Sequence, residues 1–470
     1  MSDSMTDQKQ YFFCGIGGSG MLPLAMILRG QGAEVSGSDR ALDQGRTPEK
    51  FEWLRGQGIG LFPQDGSGLV SGDQVLVASA AIEDTVPDVA AAIEQGCRRV
   101  SRAELLSELF NDAALSVGVA GTSGKSTTTA MIAWILHATG ADPTVMNGAV
   151  MKNFAGPGVP FASALVGKGD AFVSEVDESD GSIAMYSPDV ALLNNVSLDH
   201  KSMDELRALF GNYLAKAGTA ILNADDSEVL GLAQRAQKAR TYSFERRDAD
   251  LYAHSIKTEP TSISCVITAD GNEAFRLSLK VPGRHNLANA MAALLACEAC
   301  GIELKASAAA MADYAGIRRR FDIVGTADGV TIIDDFAHNP DKIAATLKTL
   351  RDFPGRLLVL FQPHGFGPLK KMRSELASAF IDNMLAEDVL VMPEPVYFGG
   401  TVDRAVSSED LVADIQTAGV QAERFETREA CGERLLALAR SGDRIIVMGA
   451  RDDTLSEFAA RLLQEIQQRS

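Results

Sequence analysis

Strand, turn and helix signals that begin afresh three times predict an α/β protein of three domains. Two restarts carry different turn chemistry: GIGGSG follows the apolar run YFFC that begins at Tyr11, and GTSGKSTTT follows LSVGVA near residue 113. A third series of short apolar runs (VTIIDDF, RLLVLFQ, DVLVMPE and RIIVMGA) follows GIRRRFD. The length of 470 residues agrees, since about 150 residues per domain gives roughly three.

In chain order, the first series reads YFFC as strand, GIGGSG as turn, MLPLAMILRGQ as helix and AEVSGSD as strand, and runs such as QVLVASA continue it to about Asp112. The second passes from its turn into AMIAWILHATG, adds the buried-strand runs DAFVSEV, DVALLNNV and GTAILNADD, becomes β-rich near Ser262 to Val281, and returns to helix at HNLANAMAALLACEACG. The predicted boundaries are 1–112, 113–321 and 322–470.

Composition limits what such a chain can do. With 46% hydrophobic and 23% charged residues it is an ordinary globular sequence. Lys plus Arg is 44 and Asp plus Glu 62, a net charge of −18, which argues against nucleic-acid or anionic-membrane partners while leaving small anionic ligands open. Six cysteines lie among apolar neighbours. Cys297 and Cys300 form CEAC in helical sequence, a spacing that fits buried thiols on one helix face better than a zinc half-site without partners. The polar start MSDSMTDQKQ shows no signal peptide and no long apolar run follows, so the expectation is a reduced, cytoplasmic protein with no membrane partner.

Four groups of residues carry chemistry. Gly15-x-Gly17-x-x-Gly20, between strand and helix, lets backbone N–H groups approach a diphosphate at a helix N-terminus, and Asp39, nineteen residues beyond Gly20, is placed to hold a ribose hydroxyl. Alone this pattern favours NAD or FAD over other diphosphates such as UDP-sugars, and over a purely structural turn. Gly121, Thr122, Ser123, Gly124, Lys125, Ser126 and Thr127 end in the GK[ST] of a P-loop, although the strict spacing would put glycine at Val119. There backbone amides and Lys125 hold phosphates and the Ser126 hydroxyl suits Mg²⁺; an exposed lysine on a glycine turn is the bland alternative. The third group is SEVDESD, with Glu175 at the end of a strand, followed by Asn194, Asn195, Asp199 and His200. An acidic run is usually a solvated loop, but this one follows the P-loop at two strand ends, where a divalent-ion shell beside phosphates belongs. The fourth is dispersed over GRHNLANA, RRRFD, DDFAHNP and FQPH, and holds three of the six histidines. Together these groups make the fold class α/β with an N-terminal Rossmann-like domain, a central P-loop ATPase-like domain with a mostly parallel sheet, and a C-terminal Rossmann-like domain.

The motifs GIGGSGM, GTSGKSTTT, SEVDESD, NNVSLDH, GRHNLANA, RRRFD, DDFAHNP and FQPH, in this order from Phe12 to about Leu463, resemble the Mur ligases, ATP-dependent amide-forming enzymes of peptidoglycan synthesis. GIGGSGM, AEVSGSD, DESD and FQPH are most similar to the branch that joins L-alanine to UDP-N-acetylmuramate; DDFAHNP is also similar to the branch that attaches the L-Ala-γ-D-Glu-diaminopimelate tripeptide in cell-wall recycling.

The resemblance implies that ATP phosphorylates the muramoyl carboxylate and that an amine displaces phosphate from the acyl phosphate. It implies that Lys125 holds the transferred phosphate, that Ser126, Glu175 and His200 contact Mg²⁺, and that Asn286 and Asn289 bind adenine. It further implies that Arg320 and Asp335 reach the nucleotide, that Gly17, Gly18, Ser19, Gly20 and Asp39 hold the UDP end, and that His338 and His364 face the acceptor or the intermediate. This chain departs from the alanine-adding pattern after FQPH, where Gly365 replaces an arginine and basic residues return only at Lys370, Lys371 and Arg373, so the acceptor stays open between an amino acid and the tripeptide. Its P-loop reads TSGKS where relatives often have THGKT. No lysine lies near Leu209 in DELRALFGNYL, which fits the alanine-adding and recycling branches and not those with a carbamylated lysine. Two other classes compete: an NAD-dependent oxidoreductase, which leaves the P-loop without a task, and a non-catalytic nucleotide-binding switch on the ligase fold.

Overall fold

The computed structural model describes residues 9–80, 82–198, 201–271, 273–396, 404–450, 452 and 454–469. The chain is α/β and packs as two compact units, the first comprising Met1–Lys257, Ser264–Lys280 and Arg284–Ala315, the second Thr258–Ile263, Val281–Gly283 and Gly316–Ser470.

The first unit opens with a five-stranded parallel sheet ordered Gly60–Phe62, Glu34–Ser38, Gln10–Cys14, Gln74–Ala78, Arg98–Ser101. Chain order reverses direction at Gln10–Cys14, so the glycine turn that follows lies at the carboxyl edge of a topological switch point, where α/β sheets take ligands. Helix Met21–Gly30 leaves this turn and buries Leu22, Leu24, Ala25, Ile27 and Leu28 on the sheet.

A ten-stranded sheet follows. Its strand Leu115–Ala120 lies between Val190–Leu193 and Ala171–Glu175, all parallel, with Ala120 opposite Leu193 and Val119 opposite Glu175. The register delivers the P-loop, Glu175 and Asn194 to one edge. Helix Lys125–Ala138 starts directly behind the P-loop. The β-rich region is resolved into strands Leu251–Glu259, Ser262–Ala269 and Glu273–Leu279 at one end of this sheet.

These two sheets share one core, which explains why the first two sequence series pack together. Phe110, from helix Arg102–Asn111, meets Phe172 edge-on at 6.0 Å and Tyr186 at 5.2 Å, and all three rings are buried.

The second unit carries a six-stranded sheet in the order Asp322–Ala327, Val330–Asp335, Arg444–Gly449, Leu357–Gln362, Val389–Met392, Gln421–Arg424, parallel except for its first strand. Asp335 pairs with Met448 and Gln362 with Gly449, which sets the segments after Asp335 and Gln362 on either side of one strand end. Cys297 and Cys300 have their thiols pushed up in pKa by burial, Cys300 to about 12. Among the described residues no cluster of three or more His, Cys, Asp or Glu is arranged for a metal, and no helix is long and apolar enough to cross a membrane.

Candidate active site

Lys125 is held back over its own loop. Its Nζ donates to Gly121 O at 2.9 Å and to Glu178 Oε2 at 2.7 Å, with Asp177 Oδ1 at 3.9 Å. Glu178 is buried. Burial pushes the Asp177 carboxyl up, but Lys125, the Ser179 hydrogen bonds and Arg102 outweigh it, so its pKa lies below the ordinary value.

The loop backbone is shaped by glycines and by two asparagines from the next strand end. Gly121 has φ +132° and Gly124 φ +82°, and a Cβ added at Gly124 would fall 2.7 Å from Asn289 Oδ1. Asn195 Oδ1 accepts from Thr122 Oγ1 at 2.9 Å and from Ser123 N at 2.8 Å. Asn194 Nδ2 donates to Thr128 Oγ1 at 2.9 Å and, more weakly, to Asn289 Oδ1 at 3.4 Å, while its own Oδ1 accepts from Tyr242. Asn286 and Asn289 are buried on helix Arg284–Ala299, and Asn289 stands directly against the P-loop.

Ser126 and Glu175 meet through one dipeptide. Asn147 Nδ2 donates to Ser126 O at 3.0 Å, and the N–H of Gly148, the next residue, donates to Glu175 Oε1. This ties the main chain of Ser126, a hydroxyl-bearing residue, to the Glu175 carboxylate beside the P-loop. Such hard oxygen donors, too few to enclose an ion, suit Mg²⁺, which keeps waters and phosphate oxygens in its shell. His200, the third expected contact, and Asp199 lie outside the described residues.

At the other turn, Gly15 has φ +83°, and Gly18 N donates back to Gly15 O at 3.1 Å. Ser19 is exposed just before helix Met21–Gly30. Asp39 is partly committed within the chain: Oδ2 accepts from Gly17 N at 2.8 Å, and Oδ1 caps helix Arg40–Asp43 through Ala41 N at 2.7 Å. Its carboxylate therefore fixes the turn itself. Two cations border this turn: Lys50 Nζ donates to Gly17 O at 3.3 Å, and the Arg102 side chain runs past Gly20.

In the second unit Arg320 sits between two left-handed residues, Arg319 (φ +60°) and Phe321 (φ +46°). Its guanidinium lies 4.1 Å from the centre of the Phe336 ring. Arg319 holds the loop, donating to Gly449 O at 2.6 Å and Asp452 O at 2.9 Å. Asp335 points inward: it accepts from Phe321 N at 3.0 Å, Ala337 N at 2.8 Å and Thr346 Oγ1 at 3.2 Å, and burial raises its pKa. In this structure Asp335 thus ties the arginine loop to the DDFAHNP segment. His338 and His364 stand edge to face at 5.2 Å. His338 Nδ1 donates to Phe336 O at 2.7 Å, so Nδ1 carries the proton and Nε2 is left as an acceptor. Arg373 is taken up by a paired contact to Asp414 at 2.6 and 2.8 Å.

Comparison with known proteins gives the same order of parts. Three family models match: "Mur ligase family, catalytic domain" over residues 10–113, "Mur ligase middle domain" over 119–297, and "Mur ligase, glutamate ligase domain" over 319–451. UDP-N-acetylmuramate–L-alanine ligase of Synechococcus sp. (strain JA-3-3Ab) is 35% identical over 464 residues, 96% of this chain and 87% of that protein. The protein of the same name from Streptomyces avermitilis is 34% identical, covering 97% of each chain. The chain belongs to the Mur ligase family. Two solved structures share the fold of this Mur ligase. UDP-N-acetylmuramate-alanine ligase of Thermotoga maritima has a TM-score of 0.79 at 24% identity, over 98% of this chain and 99% of that one. A murein peptide ligase of Psychrobacter arcticus has a TM-score of 0.69 at 22% identity, over 98% and 99%.

Several residues that the structure brings to the two turns of this Mur ligase carry no sequence signal of their own. Glu178 looks like one more member of an acidic run, yet it is the closest charged partner of Lys125. Asn147, Lys50 and Arg102 belong to no motif, and only their distances to Ser126, Gly17 and Gly20 single them out. The Asn194-Asn195 pair was the one available signal, since two adjacent amides at a strand end can bond backbone in opposite directions.

Proposed function

We propose that this Mur ligase forms an amide between the carboxylate of UDP-N-acetylmuramate and the amine of L-alanine, with cleavage of ATP to ADP and phosphate, in peptidoglycan precursor synthesis. The observation that carries the reaction type is the P-loop lysine held by Glu178 and Asp177 at the carboxyl edge of a parallel sheet. A phosphate entering the loop replaces one set of anionic oxygens around Lys125 with another. The names of full-length relatives at 34–35% identity favour alanine over the recycling tripeptide.

In this reading an oxygen of the muramoyl carboxylate attacks the γ-phosphorus of ATP, the bond to the β,γ-bridging oxygen breaks, and ADP leaves. The neutral amine then adds to the acyl-phosphate carbon, the C–O bond to phosphate breaks, and the nitrogen loses a proton to solvent. Lys125 and the amides of Gly121 to Thr127 neutralise and align the phosphates, so catalysis is mainly positioning and charge stabilisation. Mg²⁺ supplies further neutralisation when bound; Ser126, Glu175 and, by its place in the sequence, His200 are the residues that would hold it. Asn286 and Asn289 are assigned to adenine and Arg320 to the nucleotide phosphates, with Asp335 fixing the Arg320 loop. The glycine turn with Asp39 takes the UDP end, and His338 and His364 take the acceptor, with His338 Nε2 accepting from the amine. These roles divide the chain functionally at 1–112, 113–321 and 322–470. A cytoplasmic site of action agrees with six free thiols and an ATP-consuming reaction.

The test is ADP release with UDP-N-acetylmuramate against L-Ala, L-Ser, Gly and the recycling tripeptide. L-Alanine is expected to give the highest kcat/KM. A preference for the tripeptide, or ADP release that needs no acceptor or sugar nucleotide, overturns the assignment.

A further inference from the structure

Opposite charges hold the two polar backbone groups of Gly17. Its N–H donates to Asp39 Oδ2 at 2.8 Å, and its carbonyl accepts from Lys50 Nζ at 3.3 Å. The first contact makes the turn a poorer seat for an anion than its glycines suggest, because it commits one amide and sets a carboxylate beside the others. A diphosphate therefore needs a positive charge at the same place. Arg102, the other cation at the turn, is drawn toward Asp180, whose Oδ2 lies 3.6 Å away. Lys50 belongs to helix Pro48–Gly56, and the next residue, Phe51, packs against Gly17: a Cβ added to that glycine would fall 3.1 Å from the ring. The helix thus carries the lysine to the turn.

The ammonium is also placed from the ten-stranded sheet. Lys50 Nζ lies 5.8 Å from the centre of the Phe161 ring. Phe161 stands between strands Thr144–Met146 and Ala164–Leu165, in a segment closed by Met151 N donating to Ala162 O at 2.9 Å and by the pairing of Gly156 with Val159. Trp53, three residues beyond Lys50 on the same helix, anchors that segment. Its Nε1 donates to Gly158 O at 3.1 Å, and its ring meets Phe161 edge-on at 5.4 Å. The Gly17 carbonyl and the Phe161 ring carry no formal charge, so these two contacts aim the ammonium without neutralising it. We propose that Lys50 binds the diphosphate of the sugar nucleotide at the glycine turn, offsetting Asp39, and that Phe161 positions it. The inference rests on the assignment of that turn to a sugar nucleotide.

Calorimetric titration of UDP-N-acetylmuramate into the full chain, with Mg²⁺ and a saturating non-hydrolysable ATP analogue present, tests this. Lys50→Met keeps the apolar stem and removes the charge. Its Kd for the sugar nucleotide is expected to rise about tenfold, while that for the ATP analogue, titrated first, stays within about twofold of the wild type. The difference is electrostatic, so it should shrink to about threefold or less as salt is raised from about 0.05 M to about 1 M. Phe161→Leu is expected to raise the Kd about threefold by itself and to add nothing to Lys50→Met, because a residue that only aims the ammonium has no effect once the ammonium is gone. An unchanged affinity in Lys50→Met, or a loss that salt does not narrow, overturns the proposal. A Phe161→Leu loss that persists in the double variant overturns the part given to Phe161. Failure of the wild type to bind UDP-N-acetylmuramate under these conditions overturns the sugar-nucleotide assignment itself, and the role of Lys50 with it.

Discussion

Lys125 Nζ lies 2.7 Å from Glu178 Oε2, and Glu178 has only 5% of its side chain exposed. A buried carboxylate this close to a P-loop lysine is a charge pair poised for exchange, because phosphate oxygens present the same chemistry to the ammonium. Lys125→Ala is expected to lower ADP release by roughly 100-fold or more, since a charged donor to the transferred group is lost. The fold should persist, as Lys125 opens its helix and packs no core. Steady-state ADP release, alongside circular dichroism of the same preparation, measures both; a variant that turns over normally removes Lys125 from the mechanism.

Gly124 offers a sharper test of loop geometry. It adopts φ +82°, and a Cβ there would approach Asn289 Oδ1 to 2.7 Å, inside normal contact. Gly124→Ala therefore combines a left-handed backbone penalty of about 1 kcal/mol with displacement of Asn289. The expected outcome is an ATP KM raised roughly tenfold with the KM for UDP-N-acetylmuramate little changed. An ATP KM equal to the wild type would mean that the loop accepts the added methyl and does not depend on its glycine conformation.

What the sequence conveyed about this fold follows physical range. Buried parallel strands such as Leu357–Gln362 and Arg444–Gly449 are unbroken apolar runs, and the glycine turns are local backbone solutions, so both could be read directly. The joint core of the first two sheets could not, because Phe110 is an ordinary helix-face residue until Phe172 and Tyr186 are brought to it. The site divides the same way. Lys125 was legible from its neighbours in the chain, but its partner Glu178 lies 53 residues away and looks like any acidic loop residue. Asp39 shows the limit of spacing rules. Its distance from the glycines pointed to a ligand, and its position shows that the same carboxylate also braces the turn.

Arg320 is displayed on an aromatic face, and that display is open to test. Its guanidinium lies 4.1 Å from the Phe336 ring centre, and its planar stack would be lost with an aliphatic residue. Phe336→Leu keeps volume and hydrophobicity but removes the cation–π attraction, worth ~0.5–1 kcal/mol at a partly exposed site. If Arg320 meets the nucleotide, ATP KM should rise about threefold while the alanine KM changes less. An ATP KM equal to the wild type would assign Arg320 a purely structural part.

His338 makes a prediction about pH. Burial lowers its pKa to about 3; the Phe336 carbonyl works against this, and Lys342, His364 and Arg320 add to it. The ring is therefore neutral throughout the range in which the enzyme would be assayed, with Nδ1–H on Phe336 O and Nε2 able to accept but too weak a base to take a proton from an ammonium group. Two outcomes follow. His338→Gln, which retains an acceptor, should change the alanine KM more than kcat, and any acid limb of the rate profile near pH 6.5 should be the same in both enzymes. Stability carries the second. The unfolded histidine, with a pKa near 6.5, binds a proton that the folded one refuses, so stability is intact above about pH 6.5 and is lost as pH falls toward 3. Denaturant unfolding measured from pH 7 to pH 4 should show a shallower acid loss in His338→Gln than in the wild type. An equal slope would mean that the folded ring titrates as it does in water, and the neutral-acceptor role would go with it.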